Sequence, residues 1–196
     1  MAEERQDPVK DRIDEAIGLA QAGQGEAARP RFDEIWDEIG PDGDPLHRCT
    51  LAHHAADVQP DVEAELLWDL RALAAADELT QERAQRYHGS LSVAGFYPSL
   101  HLNLADGYRR LGDPVQAREH IGRARAAAGA LGDDGYGRMI REGIARTAAR
   151  LVEESGTPDG SAARGPDRLP RASGVGTGAR SGGTDESADR TGSRKA

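Results

Sequence analysis

The chain has 196 residues, of which 24 are glycine and 10 proline, with aromatic residues at 4% and charged residues at 30%. That composition excludes one compact core through the whole length and points to a modest domain with unstructured chain attached. Lys and Arg total 25 against 34 Asp and Glu, a formal charge of -9, which repels phosphate backbones and anionic lipid and argues against nucleic-acid and membrane partners.

The apolar runs are broken every few residues by Arg, Asp or Glu, and Met1-Ala2-Glu3-Glu4-Arg5 leads into no apolar stretch. Neither a membrane span nor secretory targeting is expected. Cys49 is the single cysteine, so no intramolecular disulfide can form; a reducing, cytoplasmic location is expected. Residues 155–196 hold nine Gly, six Ser and three Pro, with Leu169 and Val175 as the only large aliphatics. This is the composition of a disordered tail, leaving residues 1–154 as the folded domain. Residues 1–80 carry 7 basic and 20 acidic side chains, whereas 81–154 carry 11 and 9. The domain therefore has an acidic end and a mildly basic end.

Asp-Pro pairs open three of the predicted helices, because the carboxylate caps free N–H groups and proline lacks the one that would go unpaired. After Asp7-Pro8, the stripe Val9, Ile13, Ala16, Ile17 and Ala20 ends at Gly23-Gln24-Gly25. Phe32, Ile35, Trp36 and Ile39 form a second stripe, stopped by Gly40-Pro41, with Pro30 expected to fray or kink its first turn. After Asp44-Pro45 come Leu46, Cys49, Ala52, Ala55 and Ala56, and then a fourth stripe of Val62, Leu66, Leu67, Leu70, Leu73 and Ala74. Leu79 to Tyr87 can prolong that helix or start a new one at Thr80. Leu100, Leu104, Ala105, Tyr108 and Leu111 form a further helix. Val115, Ala117, Ile121, Ala124 and Ala128 follow after Asp113-Pro114, and Met139, Ile140, Ile144, Ala148, Leu151 and Val152 come last. No segment alternates with period two, so no strand is predicted.

The spacing Gly23, Ala28, Phe32 recurs as Gly112, Ala117, Ile121, and in the same register Ala16 matches Ala105 and Leu19 matches Tyr108. A weaker copy runs through Ala52, Ala55, Gln59, Ala64 and Trp68. The best unit, Leu104-Ala105-Asp106-Gly107-Tyr108-Arg109-Arg110-Leu111-Gly112-Asp113 followed by Ala117, Ile121 and Ala124, resembles a tetratricopeptide repeat, as in small actinobacterial proteins of that family. The likeness covers units at 9–42, 45–78 and 98–131, with an insertion at 79–97 and a capping helix at about 135–153. Departures are His101 at a position usually large and apolar, Arg71 at one usually small, and the missing terminal proline of the third unit. The resemblance implies an all-α, right-handed superhelical stack of helix hairpins whose concave face binds a peptide or helix of a partner protein. Carried onto this chain, that groove takes Lys10, Ile13 and Ile17, then Cys49, His53 and Asp57, then Leu102, Asn103, Asp106 and Arg109. Phe96 and Tyr97, at the end of the insertion, would form an aromatic rim or else join the core.

No catalytic residue is assigned. Cys49 lies in a helical stripe, Glu34, Asp37 and Glu38 lie on the outward side of theirs, and no Gly-x-Ser-x-Gly turn or phosphate-binding loop is present. His54 and Asp57 have an i, i+3 spacing that could present two metal ligands, with His101 or Asp106 as the only candidates to complete a site, so no metal or cofactor is assigned. The expected function is a non-enzymatic adaptor for a protein segment, one with basic residues if it is to match the acidic first half. The alternatives are a scaffold that self-associates through its acidic and Arg-rich ends, and a histidine-based metal-dependent enzyme or sensor.

Overall fold

The computed structural model describes residues 7–87 and 92–156, which form α-helices and two short 3₁₀ turns, with no strand among the described residues. The helices are α1 (Pro8–Gln21), α2 (Gly25–Ile39), α3 (Pro45–Ala56), α4 (Val62–Asp77), α5 (Gln81–Tyr87), α6 (Tyr97–Arg110), α7 (Pro114–Ala127) and α8 (Gly135–Gly156). The expected tail lies outside the described residues except for Ser155 and Gly156, which complete α8.

Capping carboxylates start the helices as expected. Asp7 Oδ1 accepts from the Lys10 N–H at 3.1 Å, Asp44 Oδ1 from Leu46 at 2.9 Å, and Asp113 Oδ1 from Gln116 at 3.0 Å. Asp61 does the same for α4, accepting from the Ala64 N–H at 2.8 Å. Thr80 Oγ1 accepts from Arg83 N–H at 3.2 Å, so the segment after Leu79 starts a new helix rather than extending α4. α2 runs from Gly25 through Pro30 without interruption and has no side-chain cap at Gln24. Pro30 is exposed, so the Glu26 carbonyl it leaves without an N–H is close to solvent.

The two best-matched repeat units end their first helices in the same way. Gly23 and Gly112 take φ of 77° and 76°, the left-handed region where glycine carries no Cβ penalty. The next N–H closes the same loop in both, Gln24 to Leu19 O at 3.0 Å and Asp113 to Tyr108 O at 2.9 Å. Each helix then turns back on its partner. α1 packs on α2 and α3, α3 on α4, α4 on α6, α6 on α7, and α8 closes over both α6 and α7. This is the neighbour pattern of stacked helix hairpins. One apolar cluster joins α1–α4 to Ala84, Phe96 and Leu100, and a second joins α6, α7 and α8. Ala16, Ala28, Ala105 and Ala117 are buried in them, at the positions the repeat reserves for small residues.

One helix departs from its predicted face. The leucine stripe of α4 was expected to point inward, yet Leu67 is 51% and Leu70 38% exposed, and Ala74 is exposed beside them. The buried face consists of Glu65, Trp68, Asp69, Ala72, Ala75 and Ala76. At 100° per residue those two sets lie on opposite sides of the helix. The alanines let α3 and α6 approach closely, which a leucine face would prevent.

Candidate functional site

The inward turn of α4 places two carboxylates in the interior, and α6 answers them. Glu65, 3% exposed, has Oε1 2.8 Å from Nη1 of Arg110. Asp69, fully buried, accepts a long 3.5 Å contact from the Asn103 amide. The polar seam continues along α6, where Arg109 donates to Asp106 Oδ1 at 3.0 and 3.1 Å and to Glu154 of α8 at 2.7 Å. Three carboxylates, Glu65, Asp106 and Glu154, thus meet the guanidiniums of Arg109 and Arg110 along one line of contact between α4, α6 and α8, with Asp69 held beside them by Asn103.

The residues selected from the sequence as groove positions are placed differently from expectation. His53, Leu102, Asn103 and Asp106 are buried rather than exposed, and Lys10, Ile17, Asp57 and Arg109 keep intermediate exposure. Leu102 faces α8, where a Cβ on Gly143 would lie 2.7 Å from Leu102 Cδ2. Asn103 and Asp106 are tied into the seam, and His53 packs its ring 5.3 Å from that of His54. Cys49 and Ile13 belong to the core, while Lys10 pairs with Asp14. The physical reason is that α6 is enclosed by α4, α7 and α8 together, so its polar positions are consumed by helix-to-helix contacts. Phe96 joins the first apolar cluster and forms no rim. Tyr97 is half-buried, with its hydroxyl donating to Asp77 Oδ1 at 3.0 Å.

Sequence reading passed over two groups that the structure brings together. The first is aromatic. Trp36 of α2 and Trp68 of α4 meet edge to face at 5.2 Å, Arg71 lies 4.3 Å over Trp68 and 5.3 Å over Trp36, and Arg48 lies 5.3 Å over Trp36. The arginine that breaks the repeat pattern therefore serves as a cation–π clamp between α2 and α4. The signal available in the sequence was the i, i+3 spacing of Trp68 and Arg71.

The second is a pair of histidines. Nδ1 of His101 on α6 lies 3.1 Å from Nδ1 of His120 on α7. Tyr97 stands 6.1 Å from the His101 ring and Tyr108 stacks 5.4 Å from His120. Burial, followed by the neighbouring His120 and Arg123, lowers the His101 pKa to about 4; burial and then Arg123 also lower that of His120. His54 is likewise lowered to about 4, by burial and then by His53.

Neither group supplies evident chemistry. Burial pushes the Cys49 thiol up to about 12, far from a thiolate nucleophile at neutral pH. Among the described residues no three His, Cys, Asp or Glu side chains gather as metal ligands would, and no helix is long and apolar enough to cross a membrane. Comparison of the chain with protein-family models, with curated proteins and with solved structures gave no match.

Proposed function

We propose that this protein is a non-catalytic adaptor of tetratricopeptide-like design, working in the cytoplasm, and that its docking face is the outward side of α4. The observation that carries the reading is the orientation of that helix. Leu67 and Leu70 face solvent while Glu65 and Asp69 are buried on the opposite side. With Leu67 51% and Leu70 38% exposed, half or somewhat less of the ~1.5–3 kcal/mol that full burial of each leucine contributes is forgone, and exposed apolar patches rimmed by polar groups mark interaction sites.

The rim defines the partner. Glu63 lies one turn before Leu67, Asp77 one turn beyond Leu73, and both are exposed. An amphipathic partner helix with an apolar seam and Lys or Arg at its flanks matches this arrangement. Self-association through the Arg-rich end draws less support, because Arg138 and Arg141 already donate to the carbonyls of Asp133, Gly132 and Leu131.

The test is affinity capture of partners from the native cell with the parent chain and with a Leu67→Glu, Leu70→Glu variant. The expected result is an unchanged melting temperature with loss of the captured proteins. Retention of every partner by a folded variant would remove α4 as the docking face.

A further inference from the structure

We propose that the His101–His120 contact is an acid-sensitive latch holding the α6–α7 hairpin closed. The two Nδ1 atoms are 3.1 Å apart, so one ring donates N–H and the other accepts through its lone pair. That arrangement requires the facing Nδ1 of the acceptor to be bare. A proton added there turns the acceptor into a second donor, and the bond becomes an N–H to N–H clash.

The surroundings decide how the pair responds. From α7, the Arg123 guanidinium acts on both rings and opposes a further positive charge, while Glu119 acts on His120 in the opposite sense. From the end of α4, Asp77 favours a charged His101, although its carboxylate already accepts the Tyr97 hydroxyl. From α6 the neutral rings of Tyr97 and Tyr108 stand beside His101 and His120 respectively. Arg123 thus opposes protonation of both histidines while itself paired with Glu119 at 2.5 Å, and Asp77, which favours a charged His101, also accepts from Tyr97.

The consequence is directional. In the open hairpin both rings are hydrated and take up protons near their ordinary pKa of 6.5, whereas in the closed hairpin they are held neutral. Closure is fully favoured above pH 6.5 and weakens as pH falls below it, with His101 following down to about 4. At pH 5 the opening equilibrium should rise by about tenfold or more relative to pH 7.5. Because α8 rests on α6 and α7, the C-terminal half loosens first, and the face on α4 need not change.

Amide hydrogen exchange of the full-length protein at pH 7.5 and pH 5, corrected for intrinsic rates, reads this directly. Protection of α7 is expected to fall by about tenfold or more while α1 and α2 hold theirs. The drop is expected to vanish in a His101→Gln, His120→Gln variant, whose amides can pair but do not titrate. Equal loss of protection in α7 and α1, or the same α7 loss in the variant, would overturn the latch. Should the variant not fold, ¹⁵N shifts of the parent's imidazoles decide the matter. Both rings titrating as ordinary histidines would rule the latch out, and a neutral pair at pH 5.5 with one Nδ1 protonated would support it.

Discussion

Arg110 reaches from the last turn of α6 to Glu65 in the first turn of α4, a 2.8 Å ion pair whose carboxylate is buried and whose guanidinium is only partly so. This contact makes the orientation of α4 tolerable, since a carboxylate turned inward without a cation would lose most of its hydration with little in return. Arg110→Met is therefore expected to destabilise by about 3 kcal/mol, the low end for a broken buried pair because Arg110 keeps some solvent. The combined Glu65→Leu, Arg110→Met variant should recover much of that loss. Urea unfolding of the three proteins measures both effects. A neutral single variant would mean that the pair does not hold the helix in place.

The small residues of the repeat make an independent prediction. Ala117 is completely buried where α7 crosses α6, whereas Val115, two residues earlier, is exposed. Ala117→Leu should cost about 1–3 kcal/mol through overpacking. Val115→Leu, which adds bulk facing solvent, should change stability by no more than about 0.5 kcal/mol. Thermal melts of the pair separate the helix-contact register from any general sensitivity of α7.

The contrast between α4 and the other helices shows what could be read from the sequence. Seven of the eight described helices, three of them with Asp-Pro starts, were legible because caps and breakers act locally, within one turn. The face of α4 was not, because two stripes compete on it. The leucines outweigh Ala72, Ala75 and Ala76 in hydrophobicity, but the alanines alone permit close approach of α3 and α6. Small-residue spacing, rather than hydrophobicity, carried the signal. The groove assignments failed at Asn103 and Asp106 for a related reason. A repeat register gives the direction of a side chain, but not whether a neighbouring helix will meet it, as α4 meets Asn103 through Asp69 and α8 meets the Asp106–Arg109 pair through Glu154. His120 was missed because a lone histidine on a polar stripe has no local mark, and its partner is 19 residues away.

Tyr97 tests how the insertion is anchored. Its hydroxyl donates to Asp77 at 3.0 Å, so Tyr97→Phe should cost about 1 kcal/mol. Burial, then the Asp77 contact, pushes its pKa up from 10 to about 12. A raised pKa on an acidic group means stability that is present below pH 10 and lost as pH rises toward 12. Unfolding free energies at pH 8 and pH 11 should therefore converge for the parent and the Phe variant at the higher pH, and differ at the lower.

Glycines around the last helix set a final test, of whether α8 is seated as a cap on the stack. A Cβ on Gly137 would lie 2.0 Å from the carbonyl oxygen of Gly132, a backbone atom that cannot swing aside. That same carbonyl accepts from Arg141 at 3.1 Å, and the Gly137 N–H donates to Asp134 at 2.8 Å, so the turn into α8 is fixed from both sides. Gly137→Ala must move the turn and with it the first contacts of α8 on α6, at a cost of about 1–3 kcal/mol. Gly122, in the middle of α7, has nothing within 4 Å of its added Cβ, so Gly122→Ala should stabilise by about 0.5–1 kcal/mol through helix propensity alone. Thermal melts of the two variants should move in opposite directions. If Gly137→Ala melts at or above the parent temperature, the turn is not holding α8 against the stack, and the closing contacts of Leu102 with Gly143 and Arg109 with Glu154 must be sufficient without it.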